Sequence, residues 1–229
     1  MVGAGGKKTL LYRLANELSR AVVSATVRIP IFDSHVEDVV VTLQPEDAIR
    51  SADSWPLGLV PERDDNRYLG YAPETIDRLA AADPDTPILV KADGARNRLF
   101  KAPGADEPII PESASTVLPI ASVHVVGEPL DEETVHRPER VAEITGRQLG
   151  ETLTTDDIAT VLAHPDGGRK AIPTGATAIP VLNMVDDAEL ASIAREIAAG
   201  ILDRGDVQRV VLTKLVGGDP VIDVIESLE

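Results

Sequence analysis

Apolar residues recur at helical spacing in several stretches of the chain. Leu10, Leu11, Leu14 and Leu18 follow the 3.6-residue period and predict a helix directly after the first glycines. The same spacing predicts helices over residues 73–82, 155–162 and 187–202. Thr154 or Thr155 is a suitable cap for the second of these, because acidic residues follow it in the first turn.

Short apolar runs separate these helices and predict β-strands. They lie at residues 20–31, 36–43, 87–90, 116–126, 178–182 and 207–212. Strands that alternate with helices favour an α/β fold with a mostly parallel sheet flanked by helices. We expect one domain over residues 1–229, with a surface excursion at about 44–70 that holds Trp55, the only tryptophan.

The composition narrows the classes of partner and of compartment. The chain carries 38 acidic against 22 basic residues, a net charge of −16, which argues against nucleic acid or an anionic membrane as partner. Its acidity and its preference for arginine over lysine favour a cytoplasm with concentrated salt; the alternative is an acidic protein of an ordinary cell. The lack of cysteine excludes disulfides and thiolate metal sites. With no long apolar run and no leader, we expect a cytoplasmic protein that does not enter a membrane.

The first glycines carry the strongest chemical signal. Gly3, Gly5 and Gly6 with Lys7 predict a loop whose N–H groups and lysine surround phosphate at the start of a helix. The alternative is a disordered basic amino terminus. A buried strand normally precedes such a loop, and here it would contain only Met1 and the next residue, unless translation begins upstream.

The residues after Lys7 depart from the strict phosphate-loop pattern. That pattern has Ser or Thr directly after the lysine, where its hydroxyl binds Mg²⁺. Lys8 stands at that position, and Thr9 supplies the hydroxyl one residue late. We expect Lys8 and Thr9 to contact phosphate, with Thr9 as a ligand of the metal.

Two further residues are candidates for catalysis. Asp93 follows a strand and precedes Gly94, so it is placed as a metal or water ligand; the alternative is a simple Asp-Gly turn. His136 lies beside Arg137 and could move a proton, or else cap a helix.

Asn183 and Asp186 also follow a strand. An Asn and an Asp at this spacing can bind a guanine base, with Met184 where a lysine is usual. The alternative is a helix cap by Asp186 or Asp187.

Taken together, these segments resemble the selenium-dependent hydroxylase accessory proteins (YqeC-like). The likeness extends over nearly the whole chain and rests on residues 2–7, 92–96, 101–103, 107–111, 135–138, 168–170 and 182–183. It implies a P-loop NTPase-like three-layer sandwich that binds ATP or GTP, with Mg²⁺, and that acts in the maturation of molybdenum-containing hydroxylases. In that setting Arg96, Lys101 and Arg137 would contact an anionic ligand or cofactor.

Some positions depart from this family's usual residues. Lys8 replaces a threonine, Lys91 a glutamate and Met184 a lysine, and residues 24–26 replace a threonine cluster. Because three of these changes touch phosphate, metal or base contacts, we expect weak nucleotide binding, binding without Mg²⁺, or loss of hydrolysis.

Three functions remain open from the sequence. The first is a nucleotide-dependent accessory protein with a molybdenum hydroxylase as partner. The second is a non-catalytic module that binds a phosphorylated cofactor or a partner enzyme. The third is a small-molecule kinase, in which His136 or Glu107 would be the base on the acceptor side. The oligomeric state stays open.

Overall fold

The computed structural model describes residues 1–227 and has mostly parallel sheets flanked by six α-helices. The fold-class prediction is confirmed, and the architecture is consistent with a P-loop NTPase-like α/β sandwich. The chain forms two compact units. The first unit contains Met1, Lys8–Asp93 and Ile109–Ala114; the second contains Val2–Lys7, Gly94–Pro108 and Ser115 onward. The prediction of a single domain over residues 1–229 stays a prediction.

The helices confirm the periodic patterns of the sequence. They are α1 (Lys7–Glu17), α2 (Pro45–Arg50), α3 (Pro73–Ala82), α4 (Pro138–Thr145), α5 (Thr155–Ala163) and α6 (Ala188–Arg204). Thr154 caps α5 through a reciprocal capping box with Asp157, and the Asp187 side chain caps α6 by accepting from the N–H of Leu190. The helices α2 and α4 have only six and eight residues, too short for a clear apolar period.

The strands are short, and most are shorter than the apolar runs that predicted them. The first eight are β1 (Val2–Gly3), β2 (Val22–Ala25), β3 (Ile29–Pro30), β4 (Asp38–Val41), β5 (Leu57–Val60), β6 (Arg63–Asp64), β7 (Arg67–Tyr68) and β8 (Ile88–Lys91). The other eight are β9 (Phe100–Lys101), β10 (Thr116–Val117), β11 (Pro119–Ser122), β12 (Val135–His136), β13 (Thr177–Ala178), β14 (Val181–Asn183), β15 (Arg209–Thr213) and β16 (Val221–Glu226).

The first unit is built on a parallel four-stranded sheet in the order β4-β5-β2-β8. A smaller antiparallel sheet, β3-β7-β6, accompanies it. The segment at about 44–70 corrects the prediction of a surface excursion, because it contributes β5, which is buried at all four residues. Because the segment is rich in Asp, Pro and Arg, its short apolar run was not recognised as a strand. In the structure, Leu57 and Leu59 of β5 pack into the core.

The second unit is built on a five-stranded sheet in the order β1-β11-β14-β15-β16. Every pair in it is parallel except β15 with β16. Its core combines these strands with α5 and α6 through residues such as Ile158, Leu182 and Ile197. The apolar run at 116–126, predicted as one strand, is divided into β10, β11 and a 3₁₀ turn at Val123–Val125, because β10 and β11 pair with different partners.

The strand expected before the glycine loop is present. β1 pairs in parallel with β11, with Val2 opposite Pro119 and Gly3 opposite Ile120. In the first unit, the amino group of Met1 donates to Val90 O at 2.7 Å, and Met1 O accepts from Ala92 N at 3.1 Å. The alternative of a disordered amino terminus is therefore wrong, because backbone hydrogen bonds hold these residues.

Candidate functional site

The glycine loop, residues 3–6, joins β1 to the first turn of α1. The N–H of Ala4 donates to Ile120 O at 2.8 Å, and the N–H of Gly5 donates to Arg98 O at 3.0 Å. The loop's three glycines have positive φ angles of 93°, 82° and 131°, which a residue with a Cβ adopts only with strain. The backbone thus has the strand–loop–helix order that a phosphate loop requires.

The amino end of α1 differs from those of the other helices. Among the six α-helices within residues 1–227, α1 alone has no acidic residue in its first turn. A helix amino terminus attracts negative charge through its N–H groups and its dipole. In the other five helices an acidic side chain of the first turn can interact with these N–H groups, whereas the first turn of α1 has no such side chain.

The residues around the loop lie too close to its glycines to allow a side chain there. A Cβ added to Gly5 would collide with the N–H of Ser122 and lie 2.7 Å from Leu99 O. A Cβ added to Gly6 would collide with the side-chain amide of Asn183. These contacts hold the loop against the carboxyl ends of β11 and β14, where parallel sheets bind their ligands.

Asn183 holds the glycine loop in place. Its Nδ2 donates to Gly5 O at 2.8 Å, and its Oδ1 accepts from Thr213 Oγ1 at 3.1 Å and from Leu215 N at 3.3 Å. The side chain is only 3% exposed. Recognition of a base by Asn183 stays a prediction, and the hydrogen bonds observed make it a positioning residue.

The side chain of Lys7, the residue after the glycine loop, folds back over the loop. Lys7 is only 6% exposed, and its Nζ donates to Gly3 O. Lys8 and Thr9 follow in the first turn of α1 and line a cavity of the first unit. Contacts of these three residues with phosphate or metal stay predictions.

Asp93 lies two residues after β8 in the first unit and is 1% exposed. Nearby in the chain, the Nζ of Lys91 donates to Arg28 O at 2.9 Å. No group of three or more His, Asp or Glu side chains within residues 1–227 is arranged to hold a metal ion. Metal binding by Asp93 and Thr9 stays a prediction.

Four of the chain's charged and titratable residues meet in the second unit, and we call Lys101, Glu107, His136 and Arg137 the Glu107 cluster. β9 and β12 pair in parallel with His136 opposite Lys101, which brings the two segments together. Glu107 Oε2 accepts from Lys101 Nζ and from an Arg137 guanidinium nitrogen, each at 2.7 Å. Lys101 Nζ also donates to Gly94 O at 2.7 Å.

The environment of the Glu107 cluster shifts the pKa values of Glu107 and His136. Burial raises the pKa of Glu107, but hydrogen bonds and charges from Arg137 and Lys101 outweigh it and lower that pKa to about 2. Burial, together with the charges of Arg137, Lys101 and Arg96, lowers the pKa of His136 to about 4. At neutral pH Glu107 is therefore ionised and His136 is neutral.

This electrostatic arrangement bears on the kinase hypothesis. Glu107 is a weak base, because two cations already share its charge. Lys101 and Arg137 together carry two positive charges against the one negative charge of Glu107. Arg96 adds a further positive charge near His136. The cluster therefore suits an anionic ligand better than proton abstraction from an acceptor.

Three residues near the predicted sites have left-handed backbone conformations. Their φ angles are 47° at Arg96, 62° at Arg137 and 65° at Met184. Such angles are uncommon outside glycine, and they gather at binding and active sites more often than elsewhere. Arg137 with this conformation is also the residue that precedes α4.

Asp186 lies on the surface rather than beside Asn183's buried amide. Its carboxylate is 3.1 Å from His124 Nε2 and 3.4 Å from Lys214 Nζ. The helix-cap alternative is confirmed for Asp187, which caps α6, and not for Asp186. A base contact by Asp186 stays a prediction.

Sequence reasoning missed Ser122. It ends β11, is fully buried, and its Oγ donates to Met184 Sδ at 3.1 Å and accepts from His124 N at 3.2 Å. No motif marks this residue. The available signal was a serine that closes an apolar strand at the carboxyl end of a parallel sheet.

Comparisons with known proteins find sequence similarity to one family. Residues 1–139 match the family model described as YqeC protein. The protein named Uncharacterized protein YqeC from Escherichia coli (strain K12) is 31% identical to this chain over 219 residues, which is 93% of this chain and 85% of that protein. No solved structure matches the chain. Within residues 1–227, no helix has the length and apolar character needed to cross a bilayer.

Proposed function

We propose that this chain, which belongs to the YqeC family, is a nucleotide-binding accessory protein that acts in the maturation of a selenium- or molybdenum-dependent hydroxylase. The observation that carries the proposal is the glycine loop between β1 and α1, with its three positive φ angles and its folded Lys7. The step from nucleotide binding to hydroxylase maturation rests on the family resemblance of the sequence.

The loop suits the phosphates of ATP or GTP. Its glycines adopt the positive φ angles of a tight turn at the start of α1, and the first turn of α1 carries no competing carboxylate. On binding, Lys7 would exchange Gly3 O for a phosphate oxygen, while Asn183 would keep the Gly5 carbonyl fixed. The bound nucleotide would supply a phosphoanhydride bond for hydrolysis.

The residues for Mg²⁺ fit less well than those for phosphate. The hydroxyl of Thr9 and the carboxylate of Asp93 are oxygen ligands of the kind that Mg²⁺ prefers. Lys8, however, stands where the metal-binding hydroxyl is usual, and Lys91 takes Arg28 O as its acceptor. We therefore propose that nucleotide binding depends only weakly on Mg²⁺.

A second candidate is a non-catalytic module that binds a phosphorylated cofactor. The excess of positive charge in the Glu107 cluster, with Arg96 near it, supports this function. In such a module the cluster's cations would hold an anionic group of the cofactor, and no bond would be cleaved.

A thermal-shift titration in high-salt buffer tests the proposal. ATP, GTP and their diphosphates are added with and without Mg²⁺ to the wild type, to Lys7→Ala and to Lys170→Ala, a lysine outside the loop. A nucleotide at about a hundred times its Kd adds ~2.7 kcal/mol, or roughly 5–10 °C in a chain of this size. We expect a shift in the wild type and in Lys170→Ala, and none in Lys7→Ala.

The results separate the candidate functions. Equal shifts in Lys7→Ala and wild type would contradict nucleotide binding at the loop. Release of phosphate together with a Mg²⁺-dependent shift would favour an NTPase, whereas a shift without turnover favours the binding module. For the maturation step, cells that carry Lys7→Ala in place of the wild type should make molybdenum hydroxylase polypeptide at normal levels but with lowered activity.

A further inference from the structure

The first unit contains a cavity of about 480 Å³ beside α1, which we call the aromatic cleft. Its lining residues are Lys8, Thr9, Tyr12, Arg13, Asn16, Pro30, Ile31 and His35. The volume falls within the range of about 300–1,000 Å³ that is typical of small-molecule sites. Lys8 and Thr9 are also expected to contact the phosphate of a nucleotide at the glycine loop, whereas the other six lining residues lie outside that loop, so a ligand that they hold goes beyond the proposed function.

One helix face and one short segment form the two walls of the aromatic cleft. Lys8, Tyr12 and Asn16 are four residues apart along α1 and therefore share a face. The opposite wall comes from β3 and the 3₁₀ turn at Asp33–His35. Asn16 Nδ2 joins the walls by donating to His35 O at 2.9 Å and to Tyr12 O at 2.8 Å.

A stacked pair of rings lies at the aromatic cleft. The rings of Tyr12 and His35 are 4.3 Å apart between centroids and only 6° from parallel, and Phe32 stacks behind Tyr12 at 5.9 Å. His35 is exposed, whereas Tyr12 is 9% exposed. A planar ligand can extend such a stack, since aromatic rings attract one another in offset-parallel arrangements.

The hydroxyl of Tyr12 supplies a polar group to this cavity. Tyr12 lines the cavity, and its hydroxyl is not among the buried side-chain atoms of residues 1–227 that lack a hydrogen-bond partner, so it is open to a group in the cavity. Burial raises the pKa of Tyr12, so the hydroxyl remains protonated and able to donate.

The charge of the aromatic cleft is opposite to that of the whole chain. Its lining contains Lys8 and Arg13 but no Asp or Glu, although the chain carries a net charge of −16. The Lys8 side chain makes no ion pair within the described residues 1–227. We propose that the aromatic cleft binds a small anion that carries a planar ring, such as a phosphorylated heterocycle.

Calorimetric titration with four probes tests this proposal. Riboflavin 5′-phosphate and guanosine 5′-monophosphate carry both a ring and a phosphate; riboflavin lacks the phosphate, and ribose 5-phosphate lacks the ring. We expect at least one of the two complete probes to bind, and riboflavin and ribose 5-phosphate each to bind at least tenfold more weakly. Failure of both complete probes to bind at millimolar concentration would overturn the proposal, as would equal affinity for riboflavin and its phosphate.

Variants assign the binding to the aromatic cleft. His35→Ala removes an exposed ring, and Tyr12→Phe removes only the hydroxyl, so both should fold; unchanged melting temperatures check this. We expect His35→Ala to weaken the binding probe about tenfold, and Tyr12→Phe to weaken it severalfold. Unchanged affinity in both variants would overturn the proposal.

The same titrations keep this proposal separate from nucleotide binding at the loop. Lys7→Ala should retain the probe but lose ATP and GTP, and His35→Ala should do the reverse. Loss of the probe in Lys7→Ala would place it at the glycine loop and overturn the proposal. Probe binding without any ATP or GTP shift in the wild type would instead contradict only the proposed function.

Discussion

The glycine loop and the Glu107 cluster belong to the same unit but are specified by different kinds of interaction. The loop depends on its backbone, through positive φ angles, contacts that exclude a Cβ, and one amide that anchors Gly5 O. The Glu107 cluster depends on side-chain charge, through one carboxylate oxygen shared by two cations at 2.7 Å. A single added methyl group should therefore disrupt the glycine loop, while the stability of the Glu107 cluster should depend on charge and on pH.

The largest expected effect is that of Gly5→Ala in the loop. The new Cβ would collide with the N–H of Ser122, and the alanine would have to adopt a φ angle of +82°. We therefore expect a loss of about 3–5 kcal/mol in the free energy of unfolding, measured in urea. Gly127→Ala is the matched control, because Gly127 has φ +91° but nothing within 4 Å of its Cβ position. It should cost only about 1–2 kcal/mol, the conformational part alone. Equal losses in the two variants would mean that close packing does not specify the loop.

Glu107→Gln should have the next largest effect, and it should depend on pH. The variant removes the charge that Lys101 and Arg137 share, so we expect a loss of about 2–3 kcal/mol in the free energy of unfolding at pH 7. The pKa of Glu107 is lowered in the folded state from 4.5 to about 2. Its stabilising contribution is therefore complete above about pH 4.5 and disappears as the pH falls towards 2.

Urea unfolding of the wild type and of Glu107→Gln between pH 7 and pH 2.5 measures this contribution. The two curves should converge as the pH falls through the window from 4.5 to 2. Glu143→Gln is the control, since its pair with Arg140 is half-exposed and should contribute less than about 0.5 kcal/mol. A constant difference between wild type and Glu107→Gln over this window would contradict the lowered pKa.

Asn183→Ala tests whether a side chain outside the loop also stabilises it. It removes the amide that bonds to Gly5 O, Thr213 and Leu215, and we expect a loss of about 2 kcal/mol in the free energy of unfolding. Because the loop would lose its anchor, nucleotide affinity should fall as well. A thermal-shift titration of ATP and GTP on this variant measures both quantities.

Asp186→Asn provides the contrasting case three residues later. Its carboxylate contacts the half-exposed side chains of His124 and Lys214, so the change should alter the free energy of unfolding by less than about 0.5 kcal/mol. A loss in Asp186→Asn as large as that in Asn183→Ala would show that the surface contacts matter as much as the buried amide.

The sequence by itself determined the four longer helices and the glycine loop at the start of α1. The apolar spacing of α3 and the caps at Thr154 and Asp187 are local features, and the structure confirms them. Three glycines among the four residues before Lys7 are likewise a local pattern that predicts a loop at a helix start, and all three have positive φ angles in the structure. Such features depend on neighbours in the chain, so they could be recognised without the fold.

Only the tertiary structure decided which distant residues meet. The pairing of His136 with Lys101, the sharing of Glu107 by two cations, and the anchoring of Gly5 by Asn183 join residues between 6 and 178 positions apart. The strand inside residues 44–70 and the stacking of Tyr12 on His35 escaped prediction for the same reason. Strand pairing and side-chain contacts over such separations depend on the packing of the whole unit, and no local pattern encodes them.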